Sequence, residues 1–204
     1  MRPYFVGICG GSGSGKTYLL RKLLEFFSEE QVTLISQDNY YKKREEQQKT
    51  PDGLINFDHP ESVDLRKLEM DLHKLVEGNN IEIEEYTFNV ADVKPRMLVF
   101  KPAPIVIIEG LFIYHRQQMN DFIDLKVYVD ADEHIKLTRR LRRDIVERGY
   151  SYEDTLRDYE KFVAPMYHRF VAPQKHISDL IVPNNQRMDV AIEVLADHLL
   201  KKMG

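Results

Sequence analysis

The chain has a single cysteine among its 204 residues, so no internal disulfide can form. Cys9 lies in an apolar segment, where a free cysteine serves as a small core residue, and a reducing compartment is implied. Excess positive charge is also missing. Twenty-nine Lys and Arg against 33 Asp and Glu give a formal net charge of -4, which excludes a global basic field for nucleic acid or an anionic membrane. Any anion site must therefore be local. No apolar run reaches membrane-spanning length, and Met1 leads straight into the first apolar segment without a charged n-region, h-region or cleavage site. The expectation is a cytoplasmic protein with neither nucleic acid nor membrane as partner. The seven histidines show no metal-ligand spacing, so no zinc site is expected. There is no internal repeat and no low-complexity tail. The length suits a single domain over residues 1–204 with one insertion.

What is present begins at Gly10-Gly11-Ser12-Gly13-Ser14-Gly15-Lys16-Thr17, between the apolar run Tyr4-Phe5-Val6-Gly7-Ile8-Cys9 and an amphipathic stretch. Gly10, Gly15, Lys16 and Thr17 fill the pattern G-x-x-x-x-G-K-[ST] of a phosphate-binding loop. Glycines let the backbone come close to a polyphosphate with its N–H groups pointing inward. The Thr17 end opens a helix whose free N–H groups and dipole favour the same anion. Lys16 can reach the β and γ phosphates, and the Thr17 hydroxyl can hold Mg²⁺. A Gly/Ser turn that binds nothing is the bland reading, and it rarely needs four glycines followed by Lys-Thr.

Helical spacing of Leu19, Leu20, Leu23, Leu24, Phe26 and Phe27 predicts a helix from about Thr17 to Ser28. Short apolar runs at Val32 to Ser36 and Ile105 to Ile108 read as strands buried on both faces, and Leu125 to Asp130 and Leu180 to Val182 as two further core strands. Between them helices are expected at Val63 to Val76, His115 to Phe122, Glu133 to Arg148, Tyr152 to Phe162 and Asp189 to Lys202. Ile81 to Tyr86 alternates apolar and acidic residues and can pair with Arg96 to Lys101, giving a small antiparallel insertion over about 81–101. The rest is α/β: a P-loop NTPase-type parallel sheet with helices on both faces. Ligands belong at the carboxyl ends of its strands.

Asp38 follows strand two on the edge that carries the phosphate loop, where a general base for phosphoryl transfer would stand. Position alone fits a turn or cap residue equally well. Glu109 ends a β-branched strand, as a carboxylate that binds Mg²⁺ directly or through water would; a solvated strand end is the alternative. Arg139, Arg140, Arg142, Arg143 and Arg148 crowd one helix. Arg140 can face Asp144 and Arg143 can face Glu147, leaving a surplus that suits a lid over about 139–150 hinged at Gly149. Phe57, Asp58, Tyr86 and Phe88 put aromatics and an acid where a base could stack and sugar hydroxyls could donate, although core packing is the default for isolated aromatics.

Taken together, Gly10 to Thr17, Ser36-Gln37-Asp38-Asn39-Tyr40-Tyr41, Asn56-Phe57-Asp58-His59-Pro60, Glu109-Gly110 and Arg139 through Gly149 resemble the uridine–cytidine kinase family of the phosphoribulokinase/uridine kinase group. The resemblance continues through Phe162 to Met166, Ser178 to Pro183 and Val190 to Ile192, over essentially the whole chain. It implies an ATP-dependent kinase, with GTP as the other candidate donor, Mg²⁺ as cofactor and a small-molecule nucleoside as acceptor. By that resemblance Asp38 is the base for the nucleoside 5′-hydroxyl, with Lys16 on the phosphates. Tyr41, Asp58, Tyr86 and Arg140 approach the substrate, Arg143 and Arg148 belong to the lid, and a homo-oligomer is expected. Three positions depart from the pattern: Ala91 stands where the family usually has histidine, Tyr150 where it has arginine and Asp158 where it has glutamine. The acceptor is thus uridine or cytidine, or else another nucleoside or a sugar phosphate. A non-catalytic nucleotide-binding regulator is the rival class.

Overall fold

In a computed structural model, which describes residues 2–87 and 94–203, the chain forms a central five-stranded sheet and a two-stranded one. Strand β1 (Tyr4–Cys9) leads through the phosphate loop into helix α1 (Lys16–Leu24), then β2 (Val32–Ser36). Helix α2 (Leu65–Val76), hairpin strands β3 (Ile81–Glu84) and β4 (Met97–Phe100), and β5 (Ile105–Gly110) follow. Next come α3 (Gln117–Phe122), β6 (Leu125–Asp130) and α4 (Glu133–Val146). After α5 (Tyr152–Asp158) and the short α6 (Ala164–Met166), β7 (Leu180–Pro183) and α7 (Asp189–Met203) end the order.

The sheet order is β2-β5-β1-β6-β7, with every pair parallel. Because neighbouring residues of a strand face opposite ways, β1 feeds two cores. Phe5 and Cys9 pack on the side of α2, and Val6 and Ile8 on the side of α1 and α7. Gly7 faces the α2 side, where a Cβ would come within 2.6 Å of the Tyr114 ring, whose hydroxyl donates to Gly7 O at 2.5 Å. All five central strands thus end on the edge where β1 runs into the phosphate loop.

In the antiparallel pair Ile81 and Ile83 are buried while Glu82 and Glu84 are exposed, as alternation predicts. Two positions of interest, Phe88 and Ala91, lie outside the described residues.

Several helices differ from their sequence patterns: α2 begins at Leu65, not Val63, and α4 stops at Val146, not Arg148. Helix α1 stops at Leu24, where Phe26 and Phe27 turn back in tight i→i−3 bonds, and Phe26 is left 46% exposed instead of packed. Helix α3 begins at Gln117, not His115. The helix expected to end at Phe162 continues in helical turns to Ile177. Two π turns make this possible: the Ala164 N–H donates to Tyr159 O and the Ala172 N–H to Tyr167 O, five residues back. Wider turns on either side of Pro165, which has no N–H to donate, keep Phe162, Val163 and Val171 buried.

Candidate active site

Gly13 and Gly15 have φ of 81° and 103°, conformations that side chains rarely adopt. A Cβ on Gly13 would lie 2.4 Å from Lys136 O, so only glycine lets α4 approach the loop this closely. No side chain caps α1, whose first N–H groups open toward the loop. Lys16 Nζ donates to Gly10 O at 3.0 Å, and Ser14 N–H closes a turn on Gly11 O at 3.0 Å. Ser14 is buried with its hydroxyl unpaired among the described residues, whereas Thr17 is exposed.

Asp38 sits in a single 3₁₀ turn, Gln37–Tyr40, started by Ser36, whose Oγ accepts the Asp38 N–H at 3.3 Å. Burial pushes the Asp38 carboxyl above its ordinary range, opposed by the charges of Lys16, Arg148 and Arg143, while Asp58 adds to the rise. Burial likewise raises the Glu109 carboxyl, against the pull of Lys16 and with the further push of Asp38. Ser36 Oγ donates to Glu109 at 2.5 Å. Lys16 is therefore the cation that faces both carboxyls.

On the acceptor side three aromatic rings meet. Tyr41 lies 6.0 Å from Phe57, edge to face, and 5.2 Å from Tyr86. Burial first, then the charges of Asp38 and Asp58, drive the Tyr41 phenol well above its usual range, so it stays protonated and available as a donor. Asn39 Oδ1 holds the Tyr86 backbone N–H at 3.2 Å. A cleft lined by Gly11, Ser12, Asp58, Leu111, Tyr167 and Val171 lies between the phosphate loop and Asp58.

The arginines divide the work in a way that their spacing did not show. Asp144, only 3% exposed, gathers Arg140 (3.1 Å), Arg143 (2.8 Å) and Arg148 (3.3 Å). Arg140 also reaches Asp58 at 3.4 Å, and Arg143 donates to Ser12 Oγ at 3.3 Å. The expected Arg143–Glu147 pair gives way because α4 stops at Val146 and Glu147 stays exposed, while Asp144 is buried beside the guanidinium. Arg139 turns to Ser14 O and Asn184 O, away from that cluster. Arg142 is exposed. Sequence reasoning missed Asp144 as a hub, although 140, 144 and 148 at i,i+4 steps contained the signal, and it missed Asn39 and Asn184, which have none.

Of the departing positions, Tyr150 donates its backbone N–H to Asp144 O at 3.0 Å and lies near enough to Tyr86 to raise that phenol after burial does. Asp158 is half-buried, pairs with Arg157 at 2.8 Å, and its charge also acts on Arg140.

The donor set fits Mg²⁺. Glu109 is a carboxylate whose burial cost a cation would offset, Thr17 offers a hydroxyl, and Mg²⁺ completes its shell with waters and phosphate oxygens. Among the described residues no cluster of three or more His, Cys, Asp or Glu forms a protein-only metal site, and no helix is long and apolar enough to cross a membrane.

A parallel sheet whose first strand runs into a glycine phosphate loop, with a carboxylate and arginines on the same edge, defines a P-loop kinase fold. A phosphoribulokinase from Rhodobacter spheroides superposes with a TM-score of 0.65 at 17% identity, covering 89% of this chain and 70% of that one. The profile of the Phosphoribulokinase / Uridine kinase family matches residues 5–191. A uridine kinase of Brevibacillus brevis is 36% identical over 194 residues, covering 95% of this chain and 91% of its own. A uridine kinase of Lactobacillus helveticus is 36% identical over 199 residues, covering 97% and 94%. The chain belongs to the Phosphoribulokinase / Uridine kinase family.

Proposed function

We propose that this protein is a uridine kinase, transferring the γ-phosphoryl group of ATP to the 5′-hydroxyl of uridine or cytidine. The observation that carries the reading is the placement of Asp38 among Lys16, Arg143 and Arg148, with Asp58 close by and Arg140 bound to it. Phosphoryl transfer asks mainly for orientation of the hydroxyl and for fixed positive charge around the moving group. Asp38, once ionised, orients the hydroxyl and takes its proton late. Lys16, Arg143 and Arg148 supply donors for the spreading charge, and residues 139–150 act as the lid that brings the arginines in. Asp58 accepts from sugar hydroxyls, and the rings of Tyr41, Phe57 and Tyr86 offer faces for the base. Loop amides, Lys16 and Thr17 hold the nucleotide, and Thr17 and Glu109 hold Mg²⁺, which when bound neutralises phosphate charge.

The named uridine kinases, each matched over nearly its full length, support a nucleoside as acceptor. A single domain, a cytoplasmic place in pyrimidine salvage and a homo-oligomeric state belong to the same proposal. Incubation with MgATP and a panel of nucleosides and sugar phosphates tests it. Uridine or cytidine should be phosphorylated with the highest kcat/KM. A sugar phosphate or a purine nucleoside as the best acceptor would overturn the substrate, and ATP hydrolysis indifferent to every acceptor would overturn the kinase.

A further inference from the structure

The geometry points to Asn184, seconded by Arg139, as a positioning residue that sets which way the phosphate loop presents its amides. Asn184 follows β7, is 6% exposed, and has its backbone tied by an N–H bond to Asp130 O at 2.7 Å. Its Nδ2 donates to Ser14 O at 2.7 Å. Arg139 reaches the same carbonyl at 3.5 Å and Asn184 O at 3.1 Å, so α4 and the end of β7 grip one peptide group of the loop from outside.

That peptide is the one whose direction matters. In a planar trans peptide the C=O and the following N–H point opposite ways. Drawing Ser14 O outward to Asn184 therefore turns the Gly15 N–H inward. Among the described residues that N–H has no acceptor, whereas the neighbouring Ser14 N–H is already spent on Gly11 O. Gly13 and Gly15, at φ 81° and 103°, flank a segment whose backbone tolerates either peptide orientation, so the loop's own sequence does not decide between them. Asn184 also occupies the space beside Gly15, where a Cβ would come within 2.0 Å of its Nδ2. The clamp thus selects the anion-binding form before a nucleotide arrives, which lowers the ordering cost of binding. Arg139 acts on the loop backbone, and a lid role for it is not needed.

This inference rests on reading the loop as a nucleotide site, and its test needs no acceptor. Calorimetry with MgATP alone measures it, so a protein that phosphorylated some other alcohol would give the same result. Asn184→Asp is nearly isosteric but turns a carboxylate oxygen toward Ser14 O. ATP affinity should fall about tenfold or more, the scale for a buried polar group left opposed. The Gly15 amide resonance, which should move on ADP binding in the parent protein, should stay in place in the variant at matched saturation. Arg139→Met provides a second variant that leaves the Asn184 bond intact, with an expected loss of about threefold, as for a weaker bond to the same carbonyl. Thermal unfolding followed by circular dichroism accompanies each. ATP binding within twofold of the parent in a folded Asn184→Asp protein, or an unaltered Gly15 response, overturns the proposal. If Asn184→Asp does not fold, unchanged ATP affinity in Arg139→Met overturns it.

Discussion

Ser36 Oγ donates to Glu109 Oε1 at 2.5 Å, joining the carboxyl ends of β2 and β5 where the two residues are register partners. The same oxygen accepts the Asp38 N–H at 3.3 Å. One hydroxyl therefore sets both the proposed Mg²⁺ carboxylate and the turn that carries the proposed base. Ser36→Ala should lower turnover about 10–100-fold, the usual cost of losing a support to a metal ligand. Steady-state kinetics at varied Mg²⁺ check this; a raised Mg²⁺ requirement with little change in nucleoside KM is the expected signature.

Asp38→Asn should retain ATP binding and lose about 10²-fold or more in kcat. Because the Asp38 carboxyl is raised, the wild-type rate should begin to fall at a pH above the ordinary carboxylate value of about 4 as acid protonates the base. Stability has the opposite sign. A raised folded pKa contributes stability that is complete below the unfolded value and is lost as pH rises through the folded one. Asp38→Asn should therefore raise Tm at neutral pH, with the advantage gone below about pH 4. Scanning calorimetry at the two pH values decides it.

Asp58→Asn removes the charge that Arg140 faces at 3.4 Å and that sugar hydroxyls would use. Nucleoside KM should rise about 10–100-fold, as for loss of a hydrogen bond to a charged group. The ATP KM should stay where it was. Initial rates with each substrate varied in turn separate the two, and an equal rise in both would remove Asp58 from the acceptor side.

Asp144→Ala leaves three guanidinium groups without their buried carboxylate. A loss of about 3–5 kcal/mol is expected, the range for breaking a buried pair from one side. Urea unfolding measures it. Turnover should fall as well, since Arg143 and Arg148 lose the group that aims them.

Much of this arrangement was legible from residue order alone. The phosphate loop, the five strands of the central sheet and the strand-end positions of Asp38 and Glu109 follow from local rules: glycine backbone freedom, short apolar runs and the turn at a strand end, although the edge strand β7 leaves Ile181 exposed. Asp38 and Glu109 share an edge because parallel strands carrying right-handed crossovers must place their carboxyl ends together. No distant contact is needed to predict that.

The tertiary structure alone decided what each arginine does. Arg139, Arg140 and Arg143 differ in where they stand around and along α4, and the approach of that helix to Gly13 and Ser12 turns them toward Ser14 O, Asp58 and Ser12 Oγ respectively. The π turns around Pro165 were equally hidden, because burial of Phe162, Val163 and Val171 against distant elements outweighs a local stop signal. Asn184 and Ser14, 170 positions apart, show the limit most plainly. A residue that holds another's carbonyl across the fold leaves no periodicity or motif in its own neighbourhood, so the direction of the Ser14–Gly15 peptide is a property of the packed molecule.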